Sequence, residues 1–153
     1  MAVRIVDVHI HPFSPLTEDQ LLRELDKAGV DIAVLLALDV DPNDLDRDEI
    51  KQMVSSRLLE MYFWDAKRVS EKLKDFLELA RIDNEHVAGL VKKHPNRFLG
   101  FGSIDLSKSQ SYVEEKIKEI DRLSLKGIKL IPTLQFFNPE KDLEKLRRAF
   151  EHC

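Results

Sequence analysis

Four apolar, β-branched runs alternate with amphipathic helical segments, which predicts an α/β chain whose strands are all parallel and joined by helical crossovers. Two further observations narrow the architecture. A complete (β/α)8 barrel takes about 250 residues, so four strand–helix units in 153 residues make about half of one with an inserted stretch. A doubly wound open sheet would place a Gly-rich phosphate turn after its first strand, whereas the turn here is His11-Pro12-Phe13-Ser14-Pro15, with no glycine. The expected fold is therefore α/β, the first four βα units of a TIM (β/α)8 barrel, forming a single domain over residues 1–153 with a helical insertion after strand 2, about residues 41–96.

Each element has a local reason. Arg4 to Ile10 (RIVDVHI) is β-branched and reads as a buried strand. Thr17-Glu18-Asp19-Gln20 has the form of a capping box, followed by the apolar stripe Leu21, Leu22, Leu25 and Ala28, with Gly29 to close the helix. Asp31 to Leu38 is near-continuously apolar, as a strand covered on both faces should be. Asp39 to Asp44 reads as a loop, then helices are expected over about Asp46 to Trp64, Val69 to Ala80 and Asn84 to Lys93. Arg97 to Ile104 is the third strand, Ser111 to Leu125 a helix, and Gly127 to Ile131 the fourth strand. A last helix is expected from near Asn138 to the end.

Composition excludes several functions. Charged residues make up 34% of the chain and hydrophobic ones 43%, with a net charge of −4 spread along its length, so nothing offers a footprint for nucleic acid or an anionic membrane. The longest purely apolar stretch, about Ala33 to Leu38, is far short of the roughly 20 residues of a membrane span. No signal peptide is read at the start, and the lone Cys153 cannot form an internal disulfide. A cytoplasmic location is the expectation.

The sharpest feature is Asp7-Val8-His9-Ile10-His11. Alternation along a strand puts Asp7, His9 and His11 on one face, and imidazoles two residues apart can converge on a single divalent cation, zinc first among the candidates. The pair falls at the C-terminal end of the strand, where parallel α/β sheets and barrels place their chemistry. Asp7, deeper on that face, is a candidate to orient an imidazole behind the metal.

Three stretches carry a resemblance to a family: IVDVHIHPF (Ile5 to Phe13), NEHVAGLVKKHPNRFLGFGSIDL (Asn84 to Leu106) and KGIKLIPTLQFF (Lys126 to Phe137). In this order they resemble the amidohydrolase superfamily, in the branch of amidohydrolase-2 proteins and aminocarboxymuconate-semialdehyde-decarboxylase-like enzymes. The resemblance implies a metal-dependent hydrolase using a metal-activated water, or a non-oxidative decarboxylase of the same family. It implies His9 and His11 as metal ligands and a small-molecule substrate. It also implies further histidines, and an aspartate acting as general base, on strands beyond Cys153, so catalytic residues are not expected within this chain. His152 falls on a helix and does not replace them. With two imidazoles in place of three or four ligands, the isolated chain is expected to hold metal weakly.

Other candidates are weaker. Lys129 on the fourth strand, Asp39 after the second and Asp105 after the third are expected to line the site. Bridging of two metals by a modified Lys129 is the less favoured role for that residue. His86 and His94 read as structural, with His94-Pro95 ending a helix. Tyr62, Phe63 and Trp64 read as a packing surface or a lid. A phosphoesterase of the polymerase-and-histidinol-phosphatase type also opens with Asp-x-His-x-His, but Pro12 to Leu16 do not continue its pattern. A half-barrel has two strand edges open to pairing. The chain is accordingly expected to be a homodimer, to join a chain supplying the remaining strands, or to act only by association.

Overall fold

In the computed structural model, which describes residues 4–60 and 66–152, four parallel strands form a half-barrel in the order β1-β2-β3-β4. The strands are β1 (Val6–Ile10), β2 (Ile32–Leu36), β3 (Phe98–Ser103) and β4 (Ile128–Lys129). Helix α1 (Glu18–Lys27) follows β1, while α2 (Asp48–Glu60), α3 (Ala66–Ala80) and α4 (Asn84–Lys93) lie between β2 and β3. After β3 comes α5 (Gln110–Arg122), and after β4 come α6 (Pro132–Gln135) and α7 (Leu143–His152). Tyr62, Phe63 and Trp64 fall outside the described residues.

Local chemistry sets the helix ends. Both halves of the Thr17–Gln20 capping box are made, and Leu21 and Leu25 are buried. At the other end Gly29 N–H donates to Asp26 O and Val30 N–H to Leu25 O, with Gly29 at φ +69. That is a Schellman closure, and its left-handed residue favours glycine. Asp83 caps α4 by accepting from His86 N–H, and α4 ends at His94 ahead of Pro95.

Three boundaries differ from expectation. The insertion opens with a short 3-10 turn, Pro42–Asp46, capped by Asp41, before α2 begins. The stretch expected to continue β4 toward Ile131 instead turns into α6, whose backbone then passes through a left-handed Phe136 at φ 53. The last helix starts at Leu143, because the Asn138 side chain accepts from Glu140 N–H and holds the preceding residues in a turn.

The core lies on the helix-facing side of the sheet. Ala33, Leu35 and Phe98 from the strands pack with Leu21, Leu25, Leu77, Val87 and Leu90 from the helices. A second cluster joins Ile104 and Leu106 to Val113, Ile117 and Ile120 of α5. Burying each such side chain contributes about 1.5–3 kcal/mol. The contact is close because β3 presents glycine where other strands present side chains. A Cβ on Gly102 would lie 2.5 Å from Ile120 Cγ1 and 2.7 Å from its Cδ1.

Gly102→Ala is therefore expected to overpack the α5 contact and lower stability by about 1–3 kcal/mol. Urea denaturation of the variant reads it, and an unchanged midpoint would contradict the packing described.

Candidate metal centre

β1 is the edge strand that carries the histidine pair. Its register against β2 runs Val6 to Ile32 and Asp7 to Ala33, then shifts so that Ile10 pairs with Leu35. Three residues on β1 thus match two on β2, and simple alternation breaks between Asp7 and Ile10. The two rings nevertheless converge: His9 Nε2 and His11 Nε2 are 3.2 Å apart, with ring centroids 5.1 Å apart and planes at 65°.

This spacing fits one ion. Two nitrogens each about 2.0–2.1 Å from a tetrahedral metal stand about 3.3 Å apart. The orientation is set from outside β1. His11 Nδ1–H donates to the Leu36 carbonyl at 3.1 Å, which leaves Nε2 with a free lone pair, and the ring stacks on Phe13 at 5.3 Å between centroids. Burial, then the neighbouring His9 and the charge of Lys129, hold His11 below the ordinary imidazole pKa against the opposing Leu36 bond. A neutral ring is the form that binds metal.

Lys129 is on β4, three strands from β1 in the sheet order, yet its charge is felt at His11. Asp7 does not back an imidazole. Its Oδ1 accepts the His9 backbone N–H at 3.0 Å, so it shapes the bulged backbone and not a ring. Among the described residues no third His, Cys, Asp or Glu joins the pair in a cluster fit for a metal.

Asp39 and Asp105 come together with each other, away from the histidines. Asp39 Oδ2 accepts from the Tyr112 hydroxyl and from the Asp105 backbone N–H. Asp105 Oδ1 accepts from Ser107 N–H at 2.8 Å, while its Oδ2 is buried without a hydrogen-bond partner. Lys108 closes the neighbouring loop by donating to Asp44 Oδ1 at 2.6 Å and Asp41 Oδ2 at 3.2 Å. Gln135 of α6 is 1% exposed and donates to Asp39 O, Ser103 Oγ and Ile104 O. These bonds fix the loops after β2, β3 and β4 against one another. Sequence reasoning missed Tyr112, Lys108 and Gln135, and no local pattern marks them. The other histidines are in ion pairs or on the surface: His94 Nε2 lies 2.7 Å from Glu18, His152 Nε2 3.0 Å from Asp121, and His86 is exposed.

The comparisons with known proteins bear on this geometry. No family model matches the chain. A curated 2-amino-3-carboxymuconate-6-semialdehyde decarboxylase from Dictyostelium discoideum is 34% identical over 115 residues, which are 75% of this chain and 30% of that protein. Over those residues the chain is homologous to that decarboxylase. It spans about 30% of that relative's length. The solved 5-carboxyvanillate decarboxylase of Novosphingobium aromaticivorans, with bound manganese and 3-methoxy-4-hydroxy-5-nitrobenzoic acid, has the same fold over 85% of this chain and 30% of its own, at TM-score 0.51 and 20% identity. The 2,6-dihydroxybenzoate decarboxylase from Rhizobium aligns over 95% of this chain and 47% of its own, at TM-score 0.46 and 16% identity. The homologue is named for decarboxylation and not for hydrolysis. Among the described residues no helix is long and apolar enough to cross a membrane.

The buried carboxyl of the loop network has its own signature. Burial pushes Asp105 from the ordinary 3.8 up to about 6. The folded chain then binds more protons than the unfolded one between those two values, so stability falls as pH rises through the window, by on the order of 3 kcal/mol from this group. Glu18 and Glu114, held low chiefly by Lys93 and Arg148, act in the opposite sense. Denaturant unfolding of wild type and Asp105→Asn from acid to neutral pH isolates the Asp105 part. Wild type is expected to gain less stability than the variant as pH rises, and parallel curves would show that Asp105 titrates normally.

Proposed function

We propose that this chain provides the metal-holding strand of a non-oxidative decarboxylase acting on a small unsaturated or aromatic carboxylic acid. One observation carries the reading: the Nε2 atoms of His9 and His11 stand 3.2 Å apart at the C-terminal end of β1. Homology to a decarboxylase over 75% of the chain supports the reaction class.

His9 and His11 would hold a divalent metal through Nε2, and zinc and manganese both accept nitrogen donors of this kind. When bound, such an ion supplies Lewis-acid polarisation of a substrate oxygen. The rest is done by the chain. In the free protein His11 carries its proton on Nδ1, so the 3.2 Å contact requires His9 to donate from Nε2. His9 must therefore move that proton to Nδ1 to become a ligand, whereas His11 is already in the binding tautomer. The Lys129 ammonium forms no ion pair among the described residues and is placed to attract a substrate carboxylate. Phe13, stacked on His11, supplies an apolar wall beside the ring.

Titration with Mn(II) or Zn(II), followed by the coloured probe 3-methoxy-4-hydroxy-5-nitrobenzoate, separates the roles. His9→Ala and His11→Ala are each expected to weaken metal binding at least tenfold and to abolish the metal-dependent part of probe binding. Lys129→Met is expected to keep the metal and weaken the probe about tenfold, a loss of about 1.4 kcal/mol. Metal binding that survives loss of both histidines would refute the site. Probe binding indifferent to Lys129 would refute its role.

A further inference from the structure

The loop that leaves β1 holds apolar side chains in water directly after the histidine pair. Phe13 is 37% exposed and Leu16 41%. Local bonds fix this loop. Phe13 N–H donates to His11 O at 2.9 Å, Leu16 N–H donates to Phe13 O at 2.8 Å, and Pro12 is buried. Its far end is tied to α1 by the capping box, in which Gln20 Oε1 accepts from Thr17 N–H at 2.9 Å. A ligand that covers Phe13 and Leu16 therefore has little loop to order, which favours binding.

Between this loop and the start of α1 lies a pocket of about 370 Å³, lined by His11, Phe13, Ser14, Pro15, Leu16 and Gln20. All six come from residues 11–20, so the pocket is built within one βα connection and owes nothing to the edges of the sheet. Its volume falls in the range of small-molecule sites, about 300–1,000 Å³, and so does its character, an apolar lining with few polar groups. One wall belongs to His11, so the pocket adjoins the histidine pair. Phe13 lies against the His11 imidazole at 5.3 Å between centroids and 23° between planes, which gives one ring face to His11 and leaves the rest of the ring for a ligand. Aromatic rings favour offset stacking or edge contact with a further ring.

Gln20 supplies the polar group. Its Oε1 accepts from the backbone and hydroxyl of Thr17, while its amide NH2 donates to nothing among the described residues. The cap thus holds a donor in place for an oxygen on the ligand. Among the described residues no carboxylate lines the pocket, so an acid meets no like charge in its walls.

We propose that this pocket is the ring subsite of the substrate: a planar aromatic or unsaturated acid lays its ring against Phe13 and Leu16 and accepts a hydrogen bond from Gln20 through an oxygen borne on the ring. The proposal rests on the reading of His9 and His11 as metal ligands and adds what recognises the body of the acid. Phe13 and Leu16 select a flat ring over a puckered saturated one of the same charge.

Proton–carbon NMR titration of the purified chain with 3-methoxy-4-hydroxy-5-nitrobenzoate, with and without Zn(II), tests it. The expected result is a ring-current shift of the Leu16 methyl signals that saturates with the probe, and weaker binding of cyclohexanecarboxylate. Phe13→Ala and Leu16→Ala are each expected to weaken the probe about fivefold, and Leu16→Ala to leave Zn(II) affinity unchanged. Gln20→Glu keeps the capping box, which takes either residue at that position, and is expected to weaken the probe about tenfold without lowering thermal stability. Probe binding that moves no Leu16 signal, or that Leu16→Ala and Gln20→Glu leave unchanged, would overturn the subsite while the metal reading stands. A Leu16 shift in a wild-type chain that binds no Zn(II) would uphold the subsite and overturn the metal reading. No probe binding by the wild type with or without Zn(II) would overturn the subsite.

Discussion

An imidazole at the end of an edge strand has nothing on its own strand to hold it, and the hydrogen bond from His11 Nδ1 to the Leu36 carbonyl supplies what is missing. That bond crosses from β1 to β2. It selects the tautomer, turns Nε2 toward His9, and uses a backbone oxygen that cannot move without disturbing β2, whose residues Ala33 to Leu36 are all buried. The rigidity of β2 derives in turn from helices packed on its outer face and β3 paired along its edge. A partner of this kind behind a ligating ring is the usual means by which a metal site gains its precision. Here the core's packing becomes the site's geometry through one bond.

Much of this was legible in the sequence. The strands were readable because β2 is apolar without interruption and β1 is β-branched, and α1 was marked by Thr17, Gln20 and Gly29. The convergence of His9 and His11 followed from their spacing, although a bulge lies between Asp7 and Ile10 and the route to convergence is not plain alternation. What could not be read depends on tertiary register. Leu36 enters through its carbonyl, which every residue has. Asp39, Asp105 and Tyr112 meet across 66 and 73 residues of chain, so only the fold reveals that the carboxylates serve the loop network and not the histidines. α6 is four residues long, too short for any helical period to show.

The loop network and the histidine pair divide the C-terminal face of the sheet between them. Gln135, Lys108 and Asp39 tie three loops together through buried bonds, which keeps that part of the rim stiff. The strand that bears the histidines is the least covered of the four.

The Leu36 carbonyl fixes His11 as the tautomer with its proton on Nδ1. Long-range proton–nitrogen correlation NMR of the metal-free chain, uniformly labelled with nitrogen-15 and recorded well above the imidazole pKa range, reads this directly. The account predicts His11 protonated on Nδ1 with a bare Nε2, and His9 protonated on Nε2. A spectrum showing His11 protonated on Nε2 would contradict it.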